Sequence, residues 1–183
     1  MDTTSWQGPP ADVLGHVVPV QRVVARTRHA VIALQHLVAF PEGCTLELQL
    51  AVRRGSLDDS TWRAVVAGHL GADPGPTEGE AGLKLGVRFP DGAKATTVDH
   101  AFRGWAHPTD RPERPLLVDA GSDASSDDQE YRSRQRLWLW PLPPPLPFEL
   151  VVAWEDIGLP LTSTVLDGSA VVDAAQHTEP LWT

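Results

Sequence analysis

The clearest pattern in the chain is an alternation of apolar and more polar residues on both sides of a short turn. It runs over residues 30–38 and again, more strictly, over residues 45–52. A period of two is typical of a β-strand, whose successive side chains point to opposite faces. The segment between the runs, FPEG, supplies the proline and the glycine that favour a tight reversal. The two runs therefore predict an antiparallel hairpin.

The same alternation recurs further along the chain. It predicts strands over residues 83–89, 94–98, 131–140, 148–154 and 161–166. The valine-rich stretch 17–26 is broken by Pro19, which is typical of an edge strand or a bulge. Only one segment changes to a helical period, with apolar side chains at Trp62, Val65 and Val66 and with Ser60 as the candidate cap. This segment predicts a helical insertion over about residues 56–82.

Seven to nine short strands with turn signals between them predict an all-β fold. The leading prediction is a single antiparallel β-sandwich domain over residues 1–183, immunoglobulin-like or jelly-roll, and a β-barrel is the alternative. The first 12 or so residues are expected to be flexible. Residues 119–130 are rich in aspartate and serine and lack large apolar side chains, so they predict an acidic mobile loop.

Aromatic and proline residues are concentrated near residue 140, in the segment RLWLWPLPPPLPFELVVAW. In the strand before the prolines, a period of two places five side chains on one face: Arg132, Arg134, Arg136, Trp138 and Trp140. Leu137 and Leu139 lie on the opposite face. We expect only one of the two faces to be core, and the pattern leaves open which one.

Each arrangement has its own consequence. If the leucines face inward, the two tryptophans and three arginines form an exposed stripe, which is a candidate protein interface because Trp and Arg dominate interface energetics. If the tryptophans face inward, they are the largest side chains of the core, the more usual place for aromatic rings on strands. The proline run that follows has no backbone donors, and it suits a stiff connector that protects a sheet end.

Three blocks carry a family resemblance: VIALQHLVAFPEGCTLELQLAVR, LKLGVRFPDGAKATT and LWLWPLPPPLPFELVVAWEDIGLP. Together they resemble an abundant family of uncharacterised actinobacterial proteins, and they cover about half of the chain in the same order. The resemblance implies an all-β cytoplasmic protein from a high-GC bacterium. It implies no activity and transfers no catalytic residue. The scarcity of lysine and the lack of asparagine independently indicate a GC-rich genome.

Charge and composition limit the kinds of partner that the chain is expected to bind. The chain of 183 residues has a formal net charge of −9, and it contains no basic stripe that could neutralise phosphates, so nucleic acid is not an expected partner. Its longest apolar runs are too short to span a bilayer. Cys44 is the single cysteine, which excludes an intrachain disulfide, and the first residues lack the features of a secretory signal. These features predict a cytoplasmic protein without a membrane partner.

The sequence contains no recognisable catalytic residue, metal site or cofactor-binding motif. The histidines lack metal-binding spacing, and the least dispersed group, Asp99, His100 and His107, is more typical of a solvent-exposed loop. The acidic segment lacks a calcium-loop register, and Cys44 has no histidine near it in sequence. The sequence therefore predicts a non-enzymatic protein-interaction or structural module, with homo-oligomerisation left open. The alternatives are a small-ligand or carbohydrate binder with exposed tryptophans and an enzyme without a recognisable motif.

Overall fold

A computed structural model of the chain describes residues 6–69, 82–98 and 115–182. Within these ranges the chain forms eleven strands and two α-helices. In chain order they are β1 (Val13–Leu14), β2 (His16–Arg26), β3 (Ala30–Ala39), β4 (Cys44–Arg53), α1 (Asp59–His69), β5 (Lys84–Arg88), β6 (Lys94–Thr96), β7 (Leu116–Ser126), β8 (Glu130–Trp140), β9 (Phe148–Trp154), β10 (Leu159–Leu166), α2 (Gly168–Ala175) and β11 (Glu179–Pro180).

The strands are arranged in three open antiparallel sheets. The larger sheet has the order β2-β3-β4-β8-β7, the second has the order β10-β9-β5-β6, and β1 pairs with β11. The predicted hairpin is β3 and β4, which pair from Ala39 opposite Cys44 to Ala30 opposite Val52. β2 lies at the sheet edge and its pairing is interrupted after Pro19, as its sequence predicts. The prediction of an all-β sandwich is confirmed.

The main core lies between the five-stranded and the four-stranded sheet. Alternate residues of β4 and β8 face it, among them Leu46 and Leu137, and the face of β9 that begins with Phe148 and ends with Trp154 meets them from the other sheet. The alternation in these strands therefore identifies the inner residues correctly. We call the side of the five-stranded sheet that points away from this core the outer face.

Both helices begin at an aspartate. Asp58, not Ser60 as the sequence suggests, caps α1, because its Oδ1 accepts hydrogen bonds from the amides of Ser60 and Thr61 at 2.9 Å each. The hydroxyl of Ser60, the amide of Thr61 and its hydroxyl hold the pKa of Asp58 well below the usual range. Asp167 caps α2, a helix that the strand pattern of the sequence does not predict.

The prediction of an acidic loop over residues 119–130 is wrong for most of that segment. Strand β7 continues to Ser126 and pairs with β8 along its whole length. The turn is confined to the few residues after it, where Asp127 accepts hydrogen bonds from the amides of Gln129 and Glu130 at 2.7 Å each, which lower its pKa. The backbone hydrogen bonds offered by β8 outweigh the poor strand preference of the Asp, Ser and Gly residues of β7.

Candidate functional site

The residues of the predicted interface all lie on the outer face, as their spacing requires. Leu137 and Leu139 face the main core and are fully buried. Trp138 and Trp140 nevertheless have only 0% and 4% of their surface exposed. The expectation that one face of this strand would be core and the other open is therefore wrong, because the end of β8 is buried on both faces.

A second apolar cluster buries the two tryptophans. Its buried members are Trp6, Phe40, Trp138 and Trp140, and Val13, Val38, Leu116 and Ala120 pack against them. The rings of Phe40 and Trp138 meet edge to face with their centroids 5.7 Å apart, a favourable aromatic geometry. The tryptophans therefore cannot act as exposed interface anchors. They pack instead against the segment that covers this part of the outer face.

The cover is the N-terminal segment of the chain. Trp6 is only 2% exposed, which contradicts the expectation of flexibility for the later part of residues 1–12; residues 1–5 lie outside the described ranges. The segment is fastened by β1, which pairs with β11, and by the amide of Leu181, which donates to the carbonyl oxygen of Asp12 at 2.8 Å. The two ends of the described chain thus meet over the same half of the sheet.

The three arginines of β8 lie beyond this cover and are exposed. Arg132 forms an ion pair with Glu130 at 2.7 Å, and Arg136 pairs with Glu47 on the neighbouring strand. Arg134 lies opposite Asp123 in the β7–β8 register. No ion pair joins Arg134 to another residue of the described part of the chain.

The strand registers show which side chains surround these arginines. Ala51 lies beside Arg132 and Gln49 beside Arg134 on β4, and Val31 and Ala33 follow on β3. We call this surface the open half of the outer face; its members are Arg26, Val31, Ala33, Gln49, Ala51, Arg132 and Arg134. It has small half-buried side chains in the middle and long polar ones around them.

A concavity of about 360 Å³ lies where the open half ends. The turn between β2 and β3, the end of β4 and the start of β8 form its walls. We call it the arginine pocket, because Arg26, Arg28, Arg53 and Arg132 all line it. Sequence reasoning missed three of these four residues, since they are brought together only by the pairing of strands β2, β3, β4 and β8.

The described residues offer little for other chemistry. They contain no group of three or more His, Cys, Asp and Glu side chains placed to hold a metal ion. The candidate group Asp99, His100 and His107 lies outside the described ranges. Cys44 faces the main core with none of its surface exposed, and burial raises the pKa of its thiol.

We expect native Cys44 to be inert toward thiol reagents. The thiolate is the reactive form, and both the raised pKa and the lack of exposure suppress its reaction. Labelling with a chromogenic disulfide should be slower in the native protein than in urea-unfolded protein by a factor on the order of 10³ or more, as global opening requires. Rapid labelling without denaturant would show that the start of β4, where Cys44 lies, is accessible to solvent.

Neither helix described by the structure is long and apolar enough to cross a membrane. Trp182 is exposed at 78%, and Trp6, Trp62, Trp138, Trp140 and Trp154 are buried, so the described residues contain no exposed pair of tryptophans. The described residues do present the open half of the outer face, which is rich in arginine, and the arginine pocket lies at its end. No protein-family model, curated protein or solved structure matches the chain.

Proposed function

We propose that this chain is a non-enzymatic protein-interaction module that holds an acidic segment of another protein on the open half of the outer face. The observation that carries the proposal is the division of one sheet face into two halves. One half is closed by the N-terminal segment, and the other leaves Arg132 and Arg134 exposed beside small aliphatic side chains. A cytoplasmic location belongs to the same proposal.

Charge complementarity supports an acidic partner. The chain as a whole carries −9, so exposed arginines gathered on one surface form a local exception to its charge. Arg134 has all the donors of its guanidinium available for a carboxylate, and Gln49 beside it adds a polar side chain. Arginine is enriched at interface hot spots because its planar fork binds carboxylates with two parallel hydrogen bonds.

The small side chains in the middle favour a flat contact. Val31, Ala33 and Ala51 are half-buried and lie on adjacent strands, which leaves room for a partner chain to approach the sheet closely. The aliphatic centre provides apolar contact, while the arginines at its border fix the position of the partner. A carbohydrate-binding role has less support, because among the described tryptophans only Trp182 is exposed.

A charge reversal tests the proposal. Arg134→Glu should reduce the amount of partner captured from a lysate of the source organism by about tenfold or more, because it removes a charged contact and adds a repulsive one. Arg63→Glu is the matched control, since Arg63 is an exposed arginine on α1. Captured proteins are quantified by mass spectrometry, and both variants are first shown to have the melting temperature of the unaltered protein.

A photo-crosslinking residue at position 33 locates the contact. It should crosslink the captured protein within an acidic segment, whereas the same residue at position 163 on the four-stranded sheet should not. Equal capture by the unaltered protein and Arg134→Glu, or an equal loss with Arg63→Glu, would contradict the proposal.

A further inference from the structure

The arginine pocket carries an inference that does not need a protein partner. Its walls come from three separate segments that strand pairing holds in fixed register: Arg26 lies opposite Val31, Val31 opposite Ala51, and Ala51 opposite Arg132. With neighbouring strands about 4.8 Å apart, the first and last of these residues are separated by about 14 Å across the sheet. Two arginines therefore face each other across a floor of two small aliphatic side chains.

Two more arginines close the end of the pocket. Arg53 follows Ala51 on the same face of β4, and its Nε donates to the carbonyl oxygen of Arg28 at 3.0 Å. Arg28 in turn donates to the hydroxyl of Ser56. These contacts position both side chains, but they occupy only part of each guanidinium, which carries five N–H donors.

The charges in the pocket are not balanced. Among the described residues that line it, Glu130 is the single carboxylate, and it is paired with Arg132 at 2.7 Å. Within the described ranges no carboxylate forms an ion pair with Arg26, Arg28 or Arg53. Three arginines without an acidic partner thus line one concavity, in a chain whose overall charge is strongly negative.

We infer that the arginine pocket binds a phosphate monoester group. A phosphate monoester carries a charge of about −1.5 to −2 near pH 7 and offers three terminal oxygens, so it can accept from several guanidinium groups at once. A carboxylate offers one charge and two oxygens, and it would leave most of the excess positive charge without a partner. The aliphatic floor formed by Val31 and Ala51 gives room for the organic part of the ligand.

Nuclear magnetic resonance of the full chain tests this inference. The Nε–Hε signals of the arginines are followed while inorganic phosphate, glycerol 3-phosphate or a short phosphoserine peptide is added. We expect saturable shifts at Arg26, Arg28 and Arg53 and none at Arg63 on α1. The same peptide with glutamate in place of phosphoserine should bind at least about tenfold more weakly.

Two substitutions complete the test. Arg26→Gln should weaken phosphate binding by about tenfold or more, and Arg53→Gln should do the same if the first variant folds poorly. Arg63→Gln is the control and should leave binding unchanged. Similar affinity for the small phosphates and the peptide would identify a small metabolite as the ligand, whereas much tighter binding of the peptide would identify a phosphorylated protein segment.

Three results would overturn the inference: no saturable shift up to about 10 mM phosphate, equal affinity for the glutamate peptide, or an equal effect of Arg63→Gln. The inference and the proposed function can fail separately. Arg134 does not line the pocket, so its reversal tests partner capture alone, and Arg26→Gln tests the phosphate site.

Discussion

Replacing Trp6 with alanine is expected to lower the free energy of unfolding by about 3–5 kcal/mol, the range for loss of a buried tryptophan. Trp6 is 2% exposed and lies in the cluster that buries Trp138 and Trp140. Its removal leaves a void in this cluster, beside the rings of Trp138 and Trp140. The N-terminal segment would then be held mainly by the short pairing of β1 with β11.

Urea unfolding followed by far-ultraviolet circular dichroism measures the loss. The tryptophan fluorescence of the native variant should also move to longer wavelength, because Trp138 and Trp140 become exposed to water. Trp182→Ala is the matched control, since Trp182 is 78% exposed, and it should cost less than about 0.5 kcal/mol. A cost for Trp6→Ala as small as that of the control would show that the N-terminal segment does not hold the outer face closed.

The cluster around Trp6 also shows where prediction from sequence ends. The period of two correctly places Trp138 and Trp140 on the face opposite Leu137 and Leu139. It cannot reveal that a segment more than a hundred residues earlier in the chain covers them, because that contact depends on which strands become neighbours. The alternation alone predicts one buried face, whereas the last four residues of β8 are all buried, two on each face of the sheet.

The later part of β7 and the helix α2 are not predicted from the sequence, for a different reason. β7 beyond Asp119 consists of Ala, Gly, Ser and Asp residues, which are small and have little preference for strands, and its pairing with β8 decides its structure. At the start of α2, an Asp-Gly pair such as Asp167 and Gly168 is typical of a turn, yet the same aspartate is a good helix cap. Local signals were thus either too weak or open to two interpretations.

The arginine pocket cannot be predicted from the sequence, because its residues come together only through the order of the strands in the sheet. Arg26 ends strand β2 and Arg28 lies in the turn that follows it. Arg53 ends β4, and Arg132 lies near the start of β8. None of these positions forms a continuous basic stretch, so the sequence shows only scattered arginines in an acidic chain. For the arginines at 132, 134 and 136 the sequence does predict a shared face, because they lie on one strand and the face follows from spacing alone.

Replacing Gly168 with alanine is the second substitution with a large expected effect. At the first position of a helix, alanine is ordinarily more favourable than glycine by about 0.4–1 kcal/mol. Here the added methyl group would lie well inside the contact distance of the carbonyl oxygens of Pro144 and Leu146. These are backbone atoms of the proline run, a stiff segment that has little freedom to yield. We therefore expect the opposite sign, a loss of about 3 kcal/mol or more.

The sign of the change in the free energy of unfolding tests whether the proline run is a rigid support for α2. Gly168 is buried against it, and the hydroxyl of Ser169 donates to the carbonyl oxygen of Pro145 at 3.3 Å, so α2 begins directly on the run. Urea midpoints are measured for Gly168→Ala and for Gly8→Ala, a control in which the added methyl group meets open space and no steric conflict arises. A stabilised Gly168→Ala would mean that the prolines yield to the helix; a strongly destabilised one would show that they form a rigid corner against which α2, and through it the edge of the five-stranded sheet, is positioned.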